Sequence, residues 1–205
     1  MERVHFLSTG IIGGFSFFNL PVFTMAHGYN NDEPLKPFYI PPKEPLTPGP
    51  ASGDIRTIIH SGQTNKQLSN VEVALAPRQM GPSPHLHKDL DELMYVLEGT
   101  ATVLIDKEIY NVEAGGWNFR PHGIIHSFWN ASDKPLRFID CFFNQNFEDY
   151  LEDLFHKIIP DMVKNNLTPT SPEIAKRIAA LDKKFGVIWF HDQRQTIVDK
   201  YGLKT

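Results

Sequence analysis

Short apolar runs separated by polar or turn-forming residues occupy the middle of the chain, and this pattern predicts β-strands. Asp106-Lys107 supplies a tight turn between two of the runs, and residues 130–135 form a longer one. Many short strands at such spacing predict an antiparallel sandwich or barrel, so the expected fold class is all-β. The predicted strands are Ile55–Ser61, Val71–Pro77, Leu93–Leu97, Ala101–Ile105, Ile109–Val112, Ile124–Trp129 and Leu136–Phe143.

The period of the apolar residues changes after residue 145. From Phe147 to Val163 they recur at helical spacing, and Asn146 stands where it can cap the helix. Ser171-Pro172-Glu173 is typical of a second helix start, and Gly186 of its end. We therefore predict a C-terminal helical extension over residues 146–205, with an apolar stripe that packs across the barrel or between subunits.

The first 26 residues have the layout of an export signal. Arg3 precedes a mostly apolar stretch, Phe6 to Phe23, and Ala26 ends it with a small residue. If Met1–Ala26 is a cleaved signal peptide, the protein is periplasmic or secreted; otherwise it is cytoplasmic. The alternative is an ordered arm packed on the domain. Polar residues interrupt the stretch, which argues against a stable membrane span.

Residues 27–54 are rich in proline, which favours an extended arm over regular structure. Phe38-Tyr39-Ile40 adds an apolar patch that could pin this arm to the barrel or to a neighbouring subunit. The barrel itself is expected over residues 55–145. The two apolar surfaces, on this arm and on the helix from Phe147 to Val163, favour a homodimer.

Composition excludes several classes of protein. The chain has 205 residues, enough for one domain with extensions, and its net charge of −4 gives no sign of a nucleic-acid surface. A single cysteine, Cys141, excludes a disulfide within the chain and a cysteine-rich zinc site. Its apolar surroundings in the sequence indicate a buried, inert thiol.

Three histidines and one glutamate have the spacing of metal ligands. His85 and His87 are two residues apart, so in a strand they point to the same face. Glu92 follows shortly after, and His126 comes from a later strand. Imidazole and carboxylate ligands together suit one divalent transition metal ion: Fe, Mn, Ni, Co, Cu or Zn. Asp91, next to Glu92, competes for the carboxylate role.

These residues lie within two segments that resemble the paired motifs of the cupin superfamily. The first motif, H-x-H-x3,4-E-x6-G, matches from His85 to Gly99, with Gly81 closer to His85 than in the family pattern. The second, G-x5-P-x-G-x2-H-x3-N, matches at every position from Gly115 to Asn130. The resemblance implies a double-stranded β-helix, or jelly-roll barrel. It also implies that His85, His87, Glu92 and His126 bind the metal.

Strand parity predicts an apolar cavity beside this metal. Met94 and Val96 share the face of Glu92, and Phe128 shares that of His126, while Trp117 and Phe119 approach from the preceding strand. Arg78 and Arg120 near the motifs are expected at the solvated surface.

Two segments, Pro82–His87 and the strand Met94–Gly99, look like those of the quercetinase-like branch of single-domain cupins. That resemblance implies a dioxygenase in which the metal binds an enol or flavonol oxygen, with dioxygen as the second substrate and Glu92 as general base. The alternatives are a metal-dependent isomerase or lyase on a small sugar or keto acid, and a small-molecule-binding cupin without catalysis.

Overall fold

The computed structural model describes residues 34–204, and the fold below concerns this part of the chain. The predicted signal peptide, Met1–Ala26, lies outside the described residues. Within them, no helix combines the length and the apolar character that a membrane crossing requires.

Ten strands form two antiparallel five-stranded sheets. The first sheet has the order β1-β2-β9-β4-β7 and the second β10-β3-β8-β5-β6. The face-to-face sheets confirm the all-β, jelly-roll expectation. The strands are β1 Gly53–Ile59, β2 Leu68–Leu75, β3 His85–His87, β4 Asp91–Glu98, β5 Thr100–Ile105, β6 Glu108–Glu113, β7 Trp117–Arg120, β8 His126–Trp129, β9 Leu136–Phe143 and β10 Val187–Trp189.

The helices follow the barrel strands, as the change of period predicts. A π-helical turn, Leu154–Ile158, interrupts the first predicted helix, and Asn146 makes no side-chain cap hydrogen bond. Gly186 ends α3 in the left-handed conformation, with φ +67°. The helices are α1 Phe147–Asp153, α2 Ile159–Asn165, α3 Pro172–Phe185 and α4 Arg194–Tyr201, and 3-10 turns lie at Ser61–Thr64 and His191–Gln193.

The two sheets enclose the core, and the central strands β4 and β9 show this most clearly because their residues alternate between buried and more exposed positions. In β9 every second residue is buried, starting at Leu136, and in β4 the buried positions are Glu92, Met94 and Val96. Inward apolar side chains of both sheets pack together, including Val103 and Phe138. Two of these inward positions carry charged residues, Glu92 in β4 and Asp140 in β9, so the core contains a polar centre.

Two features of the tail were not expected from the sequence. The segment Val187–Trp189 is a strand, β10, which pairs antiparallel with β3 at the edge of the second sheet. Arg194–Tyr201 forms a further helix. The predicted extension is therefore not purely helical, and its strand lies directly beside His85 and His87.

Cys141 is a free, partly buried thiol, and its burial raises the pKa of the thiol to about 11.

Candidate metal centre

Three histidines meet inside the barrel. One nitrogen from each of His85, His87 and His126 lies within 4.8 Å of the corresponding atoms of the other two. His85 and His87 project from β3, and His126 is directly opposite His85 on the neighbouring strand β8. All three side chains are buried. The second sheet thus brings together the imidazoles that the sequence assigns to the metal.

Backbone carbonyls determine which ring nitrogens are free. The Nδ1 of His85 lies 2.9 Å from the carbonyl oxygen of Ser83, and the Nδ1 of His126 lies 3.0 Å from that of Ile124. A carbonyl only accepts, so each Nδ1 carries the proton and each Nε2 keeps its lone pair. This is the tautomer that a metal ligand requires.

Three buried ring nitrogens of the cluster lack hydrogen-bond partners among the described residues. Neither ring nitrogen of His87 nor Nε2 of His126 forms a hydrogen bond with any residue of the described range. Buried polar atoms without partners are costly, and an ion coordinated by them would remove that cost. The donor set, three imidazoles beside a carboxylate, fits a divalent transition metal.

Burial keeps two of the histidines, His85 and His87, neutral. Burial, followed by repulsion from His126 and His87, holds the pKa of His85 well below its ordinary value. Burial also lowers the pKa of His87 to about 4. A neutral imidazole at physiological pH is ready to bind a metal without first losing a proton.

Glu92 reaches the cluster from the other sheet. Its Oε2 lies 2.7 Å from Nε2 of His126 and 3.7 Å from Nε2 of His87. The contact with His126 is close, but it lacks the alignment of a hydrogen bond. The compact group of ligand atoms consists of the three histidines without Glu92. Its role as fourth ligand therefore stays a prediction.

Asp91 is turned away from the centre. Its Oδ1 accepts hydrogen bonds from the backbone N–H of His122 and from Nδ1 of the same residue, at 2.9 and 2.7 Å. Its Oδ2 accepts from Asn144. Neighbouring residues in a strand point to opposite faces, so Glu92 and Asp91 cannot both face the cluster. Strand parity therefore favours Glu92 over Asp91 for the carboxylate role.

Arg120 was expected at the surface, and this prediction is wrong. The residue is 1% exposed and stands directly opposite Glu92, across β4 and β7. Its Nε donates to Glu92 at 3.2 Å, and its Nη2 donates to both carboxylate oxygens of Asp140, at 2.6 and 2.7 Å. A buried guanidinium thus stands between two buried carboxylates. Arg78, by contrast, is exposed and pairs with Asp133, as expected.

The charges of this trio set the ionisation of the carboxylates. Burial alone would raise the pKa of Glu92, but Arg120, His126 and His87 outweigh it and hold the pKa well below its ordinary value. For Asp140 burial prevails over the attraction of Arg120 and raises the pKa to about 6. Glu92 is consequently the carboxylate that keeps its negative charge beside the histidines.

A cavity of about 800 Å³ opens onto the cluster. Side chains of the histidine centre form part of its wall, with Phe128 and Phe142 from the barrel and Trp189 from β10. Most of the remaining wall is apolar. Among the described residues that line it there is no Lys and no Arg.

The residues that line the cavity differ in part from those that the sequence predicts. Phe128 lines the cavity as expected, whereas Met94 and Val96 lie in the adjoining core. Trp117 and Phe119 are 60% and 52% exposed and point outward, so that prediction is wrong. The reason is parity in β7: because Arg120 faces inward, the alternate residues Trp117 and Phe119 must face solvent.

Sequence reasoning missed Asp140 and Trp189. The ring of Trp189 packs on that of His85, with centroids 4.8 Å apart. Asp140 is an acidic residue inside the apolar run Leu136–Phe143, at an inward position of the alternation. An acidic residue at an inward position of an apolar strand is unusual, and this is how the sequence could have revealed Asp140.

A buried histidine cluster that could hold a metal ion lies inside a β-barrel of the jelly-roll type. Residues 71–142 match the family model described as the cupin domain, and the chain contains a cupin domain.

Several proteins of other organisms are similar to this chain. The uncharacterized protein MJ1618 of Methanocaldococcus jannaschii is 25% identical over 87 residues, which cover 42% of this chain and 70% of that protein. The structure of KdgF from Halomonas sp. is 22% identical, covers 48% of this chain and 84% of its own, and has a TM-score of 0.43. A sugar phosphate isomerase of the cupin superfamily from Silicibacter pomeroyi is 22% identical, covers 44% and 60%, and has a TM-score of 0.39.

Proposed function

We propose that this cupin is a metal-dependent, quercetinase-like dioxygenase that acts on a small apolar enol or flavonol. The observation that carries the proposal is the largely apolar cavity of about 800 Å³ against the histidine cluster. Cavities of about 300–1,000 Å³ with apolar walls and a few polar groups are typical of small-molecule sites.

His85, His87 and His126 would hold the metal through Nε2, the nitrogen that the backbone carbonyls leave free in His85 and His126. When bound, the metal would act as a Lewis acid toward an enol oxygen and supply the redox chemistry for reaction with dioxygen. The apolar wall orients the substrate and excludes water from the reacting atoms.

Glu92 would be the fourth ligand or the general base. The low pKa of Glu92 favours the ligand role, because a carboxylate that is hard to protonate is a weak base. The two roles differ in the Glu92→Gln variant. If Glu92 is a base, metal content stays and turnover is lost; if it is mainly a ligand, metal content falls as well.

The charge of the cavity argues against phosphorylated sugars as substrates of the isomerase alternative. Its described wall carries Asp54, Glu92, Asp140 and Asp182 but no Lys or Arg. These carboxylates would repel a phosphate group, and the described wall offers no Lys or Arg side chain to pair with it. The electrostatics therefore favour a neutral substrate. A cupin that binds this ligand without converting it is the second candidate.

Metal analysis of the purified protein tests the centre. We expect about one transition-metal ion per chain, and a sharp loss of it in His85→Ala and His126→Ala while the barrel stays folded. His122→Ala is the matched control, since His122 is an exposed histidine outside the cavity. Full metal retention in both cluster variants would refute the assignment.

Product formation with and without oxygen tests the reaction. The same metal-loaded sample is assayed with a panel of flavonols and small enols in air and under nitrogen. We expect substrate-dependent oxygen consumption, and product in air alone. Equal rates in both atmospheres would eliminate the oxygenase and favour an isomerase or lyase. Tight binding without any product would leave a binding protein.

A further inference from the structure

The C-terminal extension supplies a large part of the cavity wall. From α1, the π-helical turn and the start of α2, one set of side chains lines the cavity. These residues are Phe147, Tyr150, Leu151, Leu154, Phe155 and Ile159. These residues belong to the apolar stripe that the sequence reveals between Phe147 and Val163. The stripe therefore does more than pack helix against sheet, because part of it faces the space that opens onto the histidines.

A second helix lines the same cavity with one face. In α3 the lining residues are Ala175, Ile178, Ala179 and Asp182. Their spacing of three and four residues places them on one side of the helix. Two of the four are alanines, whose small side chains leave room where larger residues would fill the space.

None of this helical wall belongs to the family signature. The match to the cupin domain ends at residue 142, whereas the helical residues that line the cavity begin at Phe147. The barrel supplies the histidine centre, and the extension of this chain determines how much space lies beside it. A cavity of about 800 Å³ is much larger than an enol group alone would need.

We propose that the C-terminal extension is the specificity-determining wall of the site and that it selects a two-part ligand. An oxygen-bearing head would face the histidines, and a neutral, apolar, ring-containing body would lie between the barrel and α3. Asp54 and Asp182 are the charged groups of the wall away from the centre, and they would repel an anionic body. The identity of the head rests on the proposed function, but binding of the body does not.

Cavity-filling substitutions on α3 test this proposal. Ala179→Phe places a ring on the cavity face, and Ala180→Phe places the same ring on the adjacent position, which does not line the cavity. Both alanines are exposed, so the two variants differ in the face of α3 that carries the ring and not in burial. The probe is 3-hydroxyflavone, whose fluorescence reports binding to zinc-loaded protein without oxygen, so that turnover plays no part. Acetylacetone, a small enol without a ring body, serves as the second probe in competition.

We expect Ala179→Phe to weaken binding of 3-hydroxyflavone at least about tenfold, because the added ring occupies the space of the body. Acetylacetone affinity and zinc content should stay unchanged, and Ala180→Phe should behave as the parent protein. Ala175→Phe, on the same face, provides a second variant if Ala179→Phe does not fold.

Equal affinity of the cavity-face variants and Ala180→Phe for 3-hydroxyflavone would overturn the proposal, as would a parent protein that does not bind this probe. A parallel loss for acetylacetone would also overturn it, because the effect would then lie at the histidine centre. If Ala179→Phe loses the flavone but the parent protein consumes no oxygen, the specificity wall stands and the proposed oxygenase fails.

Discussion

Arg120 is the residue on which the charge balance of the barrel interior depends. Its buried guanidinium pairs with Glu92 on one side and with Asp140 on the other. Ion pairs inside proteins contribute little net stability, because desolvation offsets attraction, but removal of one member leaves an uncompensated buried charge. The trio therefore makes Arg120 far more sensitive to substitution than an exposed arginine.

Arg120→Met should destabilise the metal-free protein by about 3–5 kcal/mol, because Glu92 and Asp140 would remain buried without a cation. Urea denaturation measures the loss. Arg78→Met is the control: it breaks an exposed pair with Asp133 and should change stability little. Adding Glu92→Gln and Asp140→Asn to Arg120→Met should recover part of the stability. Equal losses for the two arginine variants would contradict this role.

Among the elements, the short strand β10 supports the strand that carries two of the histidines. It pairs with β3 so that Trp189 stands opposite His85, and Phe190 donates its N–H to the carbonyl of Pro84 at 2.8 Å. β3 has only three residues and pairs with β8 at a single position, His85 with His126. The edge strand from the tail therefore holds two candidate ligands in place.

Trp189→Ala should lower metal affinity about tenfold without unfolding the barrel, because His85 loses the ring that orients it. Ile188→Ala is the control, since Ile188 lies in the same strand but points outward and is more exposed. Competition with a chelator measures both affinities. An unchanged affinity in Trp189→Ala, or an equal loss in Ile188→Ala, would show that packing from β10 does not orient the ligand.

The break between α1 and α2 also has a local cause. Pro160 has no N–H for the carbonyl of His156, and its ring crowds that carbonyl, so a regular α-helix cannot continue through it. A π-helical turn at Leu154–Ile158 precedes Pro160. Leu154 and Phe155 in this turn and Ile159 directly after it all line the cavity.

For the whole molecule, assembly stays a prediction. Much of the stripe on α1 lines the cavity, so it is not available to a partner there. Trp117 and Phe119 lie exposed side by side on β7, the edge strand of the first sheet. Exposed apolar residues on a strand edge are typical of an interface between chains.

We expect a homodimer by light scattering at micromolar concentration. Phe119→Lys should shift it toward monomer, because a charge on the strand edge opposes pairing. Tyr39→Lys, on the exposed apolar patch of the arm, should leave the dimer intact if the edge strand is the interface. A monomeric parent protein would refute the dimer, and dissociation by Tyr39→Lys alone would move the interface to the arm.

The sequence by itself determined seven of the ten strands in the described residues, the positions of the two main helices and the histidines of the centre. These features depend on local order along the chain: alternation in β9, helical spacing after Phe147, and the separation of His85 from His87. Each of these features can be recognised from residues that lie close together in the sequence. Even the choice of Glu92 over Asp91 follows from strand parity once the inward face of β4 is known.

Only the tertiary structure decided what surrounds those histidines. Arg120 meets Glu92 and Asp140 because β7, β4 and β9 are neighbours in one sheet, an order that the sequence of elements does not reveal. Trp189 reaches His85 because the tail returns to the edge of the other sheet. The size of the cavity depends on how α1 and α3 lie over the barrel. Such contacts join residues far apart in the chain, and no local period encodes them.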